Sequence, residues 1–482
     1  MKFKHTHIQL YLAGLGLAIL LLSGFTVKSE TIQNGYTINI NISGLKDTTI
    51  YLAIHTGDKI YMTDTTRLDE NGSGSFTADS LLPGGIYMIM IPENSYFDLL
   101  ISNQQHFTLH TDLNNYAENL VVNGADETAL YATYQQIMIQ QQKAEKRLRK
   151  QLSANRFHPD SAKIISEQLK SLRQKTDEEI HSLAEAHAGT FFAHVLRLSF
   201  PTRIPDFNIP DTVPNRDSVI WMRSLVYNQN HYFDQIAFDD PRLIHAPVLS
   251  DKISRYFLSI VSQQPDSIIK QVDYLISRAA VDKDMYRFVL SYLFNFFQTA
   301  TGTGYEQTFL HLTRNYYLNG KAPWAGNALL ADLRNRTEKI DSTLPGHQAP
   351  DLKYISEKGK QIALSDLKGD RILVYFWDPE CSLCRQTTPV INELYNKYRK
   401  KGFNVYAVYT GNDKNSWLEY LDQHKNDWIN VYDSGNKMTY RRLFNFYRTP
   451  EMILLGNNRT IIAKDLEKQN LINLLDKYYG NK

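Results

Sequence analysis

The chain has 482 residues, of which 43% are hydrophobic and 22% charged, and its formal net charge is +2. That length exceeds what one hydrophobic core supports and calls for roughly two to four domains. The composition is that of a globular chain, neither disordered nor multi-spanning, and the balanced charge offers no basic field for nucleic acid and no acidic tail.

At the N-terminus Lys2 and Lys4 precede an uncharged apolar run over 10–25, and Ser29 follows at a cleavage point after Val27-Lys28. This is the layout of a secretory signal peptide over 1–29. An uncleaved membrane anchor is the alternative, because the run is only slightly short of a bilayer span. No later stretch is long and apolar enough to span, and no cysteine before Cys381 could carry a lipid. Either way the body of the protein is expected outside the cytoplasm, in the periplasm.

Residues 30–125 read as a small antiparallel β-sandwich. Ile38, Ile40 and Ile42 alternate with polar residues, and further strands are predicted over 49–54, 59–63, 74–77, 86–91, 97–101 and 107–111. Ser43-Gly44, Asn71-Gly72 and Pro83-Gly84-Gly85 supply turns.

Residues 126–342 read as an all-α domain. Ile165, Leu169, Leu172, Thr176, Ile180 and Leu183 recur at helical spacing, and Gly189 suits the position just past a helix end. The preceding segment, 127–155, should pair with this helix as a hairpin. A loop with Pro201, Pro205, Pro210 and Pro214 follows, then four or five more helices over about 250–337.

Pro345 to Pro350 breaks the pattern, and over 343–482 strands and helices alternate as in an α/β sheet. Strands are predicted over 371–377, 404–409, 451–455 and 460–463, with helices over 382–400, 416–424 and 469–479. The fold class expected for the whole chain is thus multidomain: β-sandwich, helical domain, α/β domain.

The only two cysteines, Cys381 and Cys384, stand where the apolar strand ends and a helix begins. Unpaired N–H groups and the positive dipole end there stabilise a thiolate at Cys381 and lower its pKa. One turn on, Cys384 can reach back as the resolving thiol of a redox-active disulfide. A zinc site would need further ligands that the spacing does not supply, and a structural disulfide closing so small a loop would add little. No phosphate loop, Ser-His-Asp pattern or HExxH helix occurs, so no metal and no cofactor is expected. The 30 tyrosines read as packing residues, and the basic run over 143–150 as a solvated helix face.

Residues 346–482 resemble the periplasmic TlpA-like group of thioredoxin-fold domains. The matching residues are Ala349-Pro350-Asp351-Leu352, Leu364 to Gly369, Val374-Tyr375-Phe376-Trp377, Cys381-Ser382-Leu383-Cys384 and Thr449-Pro450-Glu451. The resemblance implies thiol–disulfide exchange, with Pro450 as the cis-proline facing the dithiol and Thr449 and Trp377 as client-binding residues. Two positions depart from the family. Tyr375 stands where thioredoxins bury an aspartate, and Thr387 where many relatives have a glutamate, which leaves Glu380 as a proton acceptor only by adjacency. More weakly, the first two domains resemble uncharacterised modules found ahead of such domains, the second through Tyr232 to Ile236, Asp240 to Leu243 and Asn315 to Gly320.

The expected activity is therefore an extracytoplasmic thiol–disulfide oxidoreductase, leaning to a reductase. Its implied partners are a disulfide-bearing client protein and an electron-donor thiol protein at the membrane. Two alternatives stand beside it: an exported binding or scaffold protein on the same fold, and a peroxiredoxin-like peroxidase, which Asp378 disfavours because that chemistry wants a threonine there.

Overall fold

The computed structural model describes residues 35–92, 95–299, 304–424, 426–433, 439–444 and 449–480. The expected signal peptide or anchor, 1–29, lies outside the described residues.

Eight strands come first: β1 (Tyr36–Ser43), β2 (Thr49–Thr56), β3 (Lys59–Arg67), β4 (Ser73–Ala78), β5 (Gly85–Ile91), β6 (Ser95–Ile101), β7 (His106–Asp112) and β8 (Val121–Asn123). They form two four-stranded sheets, ordered β4-β1-β7-β8 and β3-β2-β5-β6. The alternation read in β1 is real, because Ile38, Ile40 and Ile42 are all buried in one core with Leu52, Ile89 and Leu99 of the other sheet. The expectation of a purely antiparallel arrangement is corrected, since β1 runs parallel to β7. These strands are joined through the whole second sheet and not by a hairpin, so no tight turn fixes their relative direction.

The helical region opens with two long helices, α1 (Asp126–Ala154) and α2 (Pro159–Ala186), which pack together as the predicted hairpin. On α2 the buried positions Ile165, Leu169, Thr176 and Ala184 follow helical spacing. Then come α3 (Phe191–Leu198), α4 (Arg216–His231), α5 (Pro247–Arg255), α6 (Pro265–Ala279), α7 (Lys283–Thr299), α8 (Tyr305–Leu312) and α9 (Asn327–Asp341). Their core is strongly aromatic, with Phe297 meeting Phe257 and Tyr305 edge-on at 5.3 and 5.1 Å. Ile86 and Leu100 of the β region belong to this same core, so the two regions share an apolar contact. Gly57 reinforces it. Its φ of +61° turns β2 into β3, and its N–H reaches the Ile244 carbonyl at 3.1 Å.

The C-terminal region contains β9 (Lys353–Ser356), β10 (Gln361–Ala363), β11 (Arg371–Trp377), α10 (Ser382–Tyr398), β12 (Phe403–Tyr409), α11 (Lys414–Gln423), β13 (Ile429–Tyr432), α12 (Thr439–Phe444), β14 (Glu451–Leu455), β15 (Ile461–Ala463) and α13 (Lys468–Tyr479). One mixed sheet results, ordered β10-β9-β13-β12-β11-β14-β15. β11 lies parallel to β12 and antiparallel to β14. It is apolar on both faces because both faces are covered. Leu373, Tyr375 and Trp377 pack with Cys384 and Ile391 of α10, while Ile372, Val374 and Phe376 fill the opposite layer. Each such fully buried side chain contributes about 1.5–3 kcal/mol, which holds the C-terminal end of β11 rigidly beneath the helix that follows.

Candidate functional site

β11 ends at Trp377, and Asp378-Pro379-Glu380 turns the chain into α10. Cys381 caps that helix. Its backbone is extended (φ −76°, ψ 120°), its own N–H donates to the Asp378 carbonyl at 3.1 Å, and its Sγ accepts the Cys384 N–H at 3.3 Å. A sulfur thus takes the capping place that a hydroxyl or carboxylate usually fills.

The two thiols sit in different surroundings. Cys381 is partly exposed, whereas Cys384 is fully buried against Tyr375 and Trp377. Partial burial pushes the Cys381 thiol up, but hydrogen bonds from the Cys384 thiol and N–H, the Thr449 side chain and the Leu383 N–H outweigh it, and its pKa falls below the ordinary value. Burial first, and then the bond with Cys381, pushes Cys384 the other way.

Across from the thiols lies the segment before β14. The Thr449–Pro450 bond is cis, and the Cys381 thiol donates to the Thr449 carbonyl at 3.4 Å. The structure therefore brings Cys381, Cys384, Thr449 and Pro450 together as one group. Trp377 is a correction. Expected on the client-facing surface, it is 1% exposed, stacked on Tyr375 at 6.0 Å and edge-on to Tyr420 at 5.2 Å. Covered on both faces of its strand, β11 cannot present its last residue to solvent, so Trp377 is the floor of the site.

Tyr375, at the position where thioredoxins bury an aspartate, has its hydroxyl 3.0 Å from Thr388 Oγ1 and donates to the Cys384 carbonyl at 3.4 Å. Burial raises its pKa far above the ordinary phenol, so it stays neutral and acts as a donor. Thr387 bonds back to the Leu383 carbonyl at 2.9 Å, and Glu380 accepts the Ser416 hydroxyl at 3.3 Å on the outer side of the turn. Beside the turn opens a cleft of about 350 Å³ lined by Pro379, Glu380, Arg385, Ser416 and Tyr420. Among the described residues no His, Cys, Asp and Glu group could hold a metal ion.

One residue that the sequence pattern could have flagged is Glu451. It is a carboxylate opening an otherwise apolar strand, immediately after Pro450, and it is only 5% exposed. Burial, then the negative charge of Asp465, pushes its pKa well above the carboxylate range.

A strand delivering an accessible, activated cysteine to a helix start, with a buried partner one turn on, defines a thioredoxin-fold dithiol protein. Comparison with known proteins agrees. Residues 344–476 match the Redoxin family and 36–131 a domain of unknown function, DUF4369. The thiol-disulfide oxidoreductase ResA of Bacillus anthracis is 40% identical over 63 residues, 13% of this chain and 36% of that protein. Its namesake in Geobacillus kaustophilus is 37% identical over 78 residues, 16% of this chain and 44% of that protein. The chain thus spans less than half the length of these curated relatives. Among solved structures, the thioredoxin domain of a thiol-disulfide oxidoreductase from Bacteroides vulgatus is 31% identical, covering 28% of this chain and 99% of that one at a TM-score of 0.27. A thioredoxin-like protein from Bacteroides caccae is 19% identical over 58% of this chain and 98% of its own, with a TM-score of 0.45. Over residues 344–476 the chain thus matches the Redoxin family, and part of that stretch is similar to thiol-disulfide oxidoreductases.

Proposed function

We propose that this chain is an exported dithiol reductase that opens disulfides in client polypeptides, with Cys381 as nucleophile and Cys384 as resolving thiol. The observation that carries this reading is the asymmetry of the pair: Cys381 is accessible and biased toward thiolate, Cys384 enclosed and biased toward thiol. Cys381 Sγ attacks one sulfur of the client disulfide, that S–S bond breaks, and the other client sulfur leaves as a thiolate. Client and Cys381 are then joined by a mixed disulfide. Cys384 loses its proton, its sulfur attacks Cys381 Sγ, and the second client sulfur leaves. Two electrons have passed to the client, the pair is a disulfide, and the protons end on the client thiols. Two electrons from a donor dithiol protein, which we place at the membrane, restore Cys381 and Cys384.

The client strand is proposed to run along Thr449 and Pro450, whose carbonyl side already meets the Cys381 sulfur. The periplasmic location rests on the signal-like segment at 1–29, and because the pair has no third cysteine to exchange with, its disulfide partner must be another molecule. The upstream regions, a sandwich over 30–125 and a helical domain over 126–342, would present clients or partners to the domain at 343–482.

Insulin reduction with dithiothreitol as electron source tests the assignment. Wild type should turn over, Cys381→Ser should be inert, and Cys384→Ser should accumulate a mixed disulfide through Cys381. Turnover by Cys381→Ser at the wild-type rate would refute it. Native protein should also begin near residue 30, and recovery of intact Met1 in the membrane fraction would favour the anchor.

A further inference from the structure

The residue after Pro450 leads away from the dithiol into a buried charge cluster shared with the helical region. Glu451 points to the layer opposite α10, where its Oε1 accepts the Asp465 N–H at 3.1 Å. The neighbouring Lys464 donates to both carboxylate oxygens of Glu306, at 2.9 Å each, and to Thr343 Oγ1 at 3.4 Å. Glu306 opens α8, and Thr343 lies just past α9, so this ion pair ties the helical region to the redox domain. It is nearly dry, with Lys464 and Glu306 side chains 3% and 12% exposed.

A pair this buried is weak evidence for net stability, because desolvating two charges offsets much of their attraction. What it does supply is position. The Lys464 ammonium, held by the Glu306 carboxylate and the Thr343 hydroxyl, links the segments that bear them. Lys464 and Asp465 follow β15, and the Leu466 N–H bonds the Met452 carbonyl at 3.2 Å, so fixing Lys464 fixes the start of β14. Glu451 is the second tie on the same strand start, held by the Asp465 N–H. One residue earlier stands Pro450, and two earlier Thr449, the group in contact with Cys381.

Resting on the reductase reading above, we infer that Glu451 and the Glu306–Lys464 pair are positioning residues through which the helical region holds the Thr449–Pro450 segment against Cys381. The helical region is then part of the reductase and not only an appendage. A lone redoxin domain lacks Glu306 and must place this segment by other means. Burial, and then the negative charge of Asp465, push the Glu451 carboxyl toward its protonated form, so glutamine is its conservative replacement.

The full-length chain tests this with three variants: Glu451→Ala, Glu451→Gln, and Glu306→Leu combined with Lys464→Met, which removes the pair without orphaning a charge. Circular dichroism establishes that each folds. Displacing Thr449 from the Cys381 sulfur should shift the pH midpoint of Cys381 alkylation in Glu451→Ala and in the double variant, and Glu451→Gln should restore it. The KM for insulin should rise roughly three- to tenfold in the same two variants, the scale of one lost hydrogen bond, with kcat little changed. Reduction of a small aromatic disulfide, which needs no backbone platform, should change only in proportion to the Cys381 thiolate fraction at the assay pH. Folded variants with unaltered alkylation midpoints overturn the inference even if the enzyme is a reductase. Failure of wild type to reduce insulin, with the midpoints shifted as stated, would instead overturn the reductase reading and leave the positioning role standing.

Discussion

The Cys384 N–H points at Cys381 Sγ from 3.3 Å, so the resolving residue's backbone stabilises the nucleophile's charge while its own thiol stays buried. A one-turn spacing at a helix start produces this division of labour. The first cysteine receives the orphan N–H groups, and the second is carried into the core by the helix turn. Alkylation of the reduced protein near neutral pH should therefore label Cys381 first, and Cys384 only slowly or after unfolding. Site-resolved mass spectrometry of a time course checks this. Equal rates at the two positions would contradict it.

Alkaline stability should depend on Cys384. Its pKa is raised from 9.0 to about 12 by burial and by the Cys381 bond. A thiol raised on folding favours the native state below its unfolded value and loses that contribution as pH rises through the folded value. The reduced wild type should therefore lose stability progressively above pH 9 relative to Cys384→Ala, and the two should run parallel below it. Urea denaturation at several pH values gives the comparison, and parallel curves throughout would exclude the effect.

Tyr375→Phe separates structure from proton transfer. The hydroxyl bonds the Cys384 carbonyl and Thr388, so its removal should cost about 0.5–1.5 kcal/mol of stability. The phenol stays protonated and cannot accept the Cys384 proton, so insulin reduction by the folded variant should remain within about threefold of wild type. A loss of a hundredfold or so in activity, with stability unchanged, would make Tyr375 a participant in the chemistry.

The dithiol was legible because strand, helix start and CxxC spacing are local features. β11 and α10 follow directly from the apolar run and the amphipathic period, and the observed ends lie within two residues of those read. Short elements escaped. β13 has four residues and α12 six, too few for either period to register. α4 was missed for another reason: none of its residues is buried, so the stripe that marks a helix is absent. The parallel pairing of β1 with β7, and the meeting of Glu306 with Lys464 across 158 positions, depend on tertiary assembly that no local pattern records. Glu451 was visible as a charge at the head of an apolar strand, but its partners were not.

Redox direction is the most exacting test of the reductase reading. Strong oxidants of this fold, near about −120 mV, owe their poise to a thiolate so stabilised that the reduced form is favoured. Such stabilisation is greatest where formal cations adjoin the sulfur. Here burial opposes the Cys381 thiolate, and the groups that lower its pKa are the Cys384 thiol and N–H, the Thr449 side chain and the Leu383 N–H, none of them a cation. Arg385, the nearest candidate by sequence, donates instead to the Pro379 carbonyl at 3.3 Å, and Glu380 brings an acidic side chain to the same turn. A thiolate held only by neutral donors leaves the dithiol easier to oxidise, so the potential should fall below about −200 mV, on the thioredoxin side of protein disulfide isomerase. Equilibration in dithiothreitol buffers, read by trapping free thiols, measures it directly. A value above about −150 mV would make this chain an oxidase, and an Arg385→Gln variant that lowered it further would locate the cause in the guanidinium.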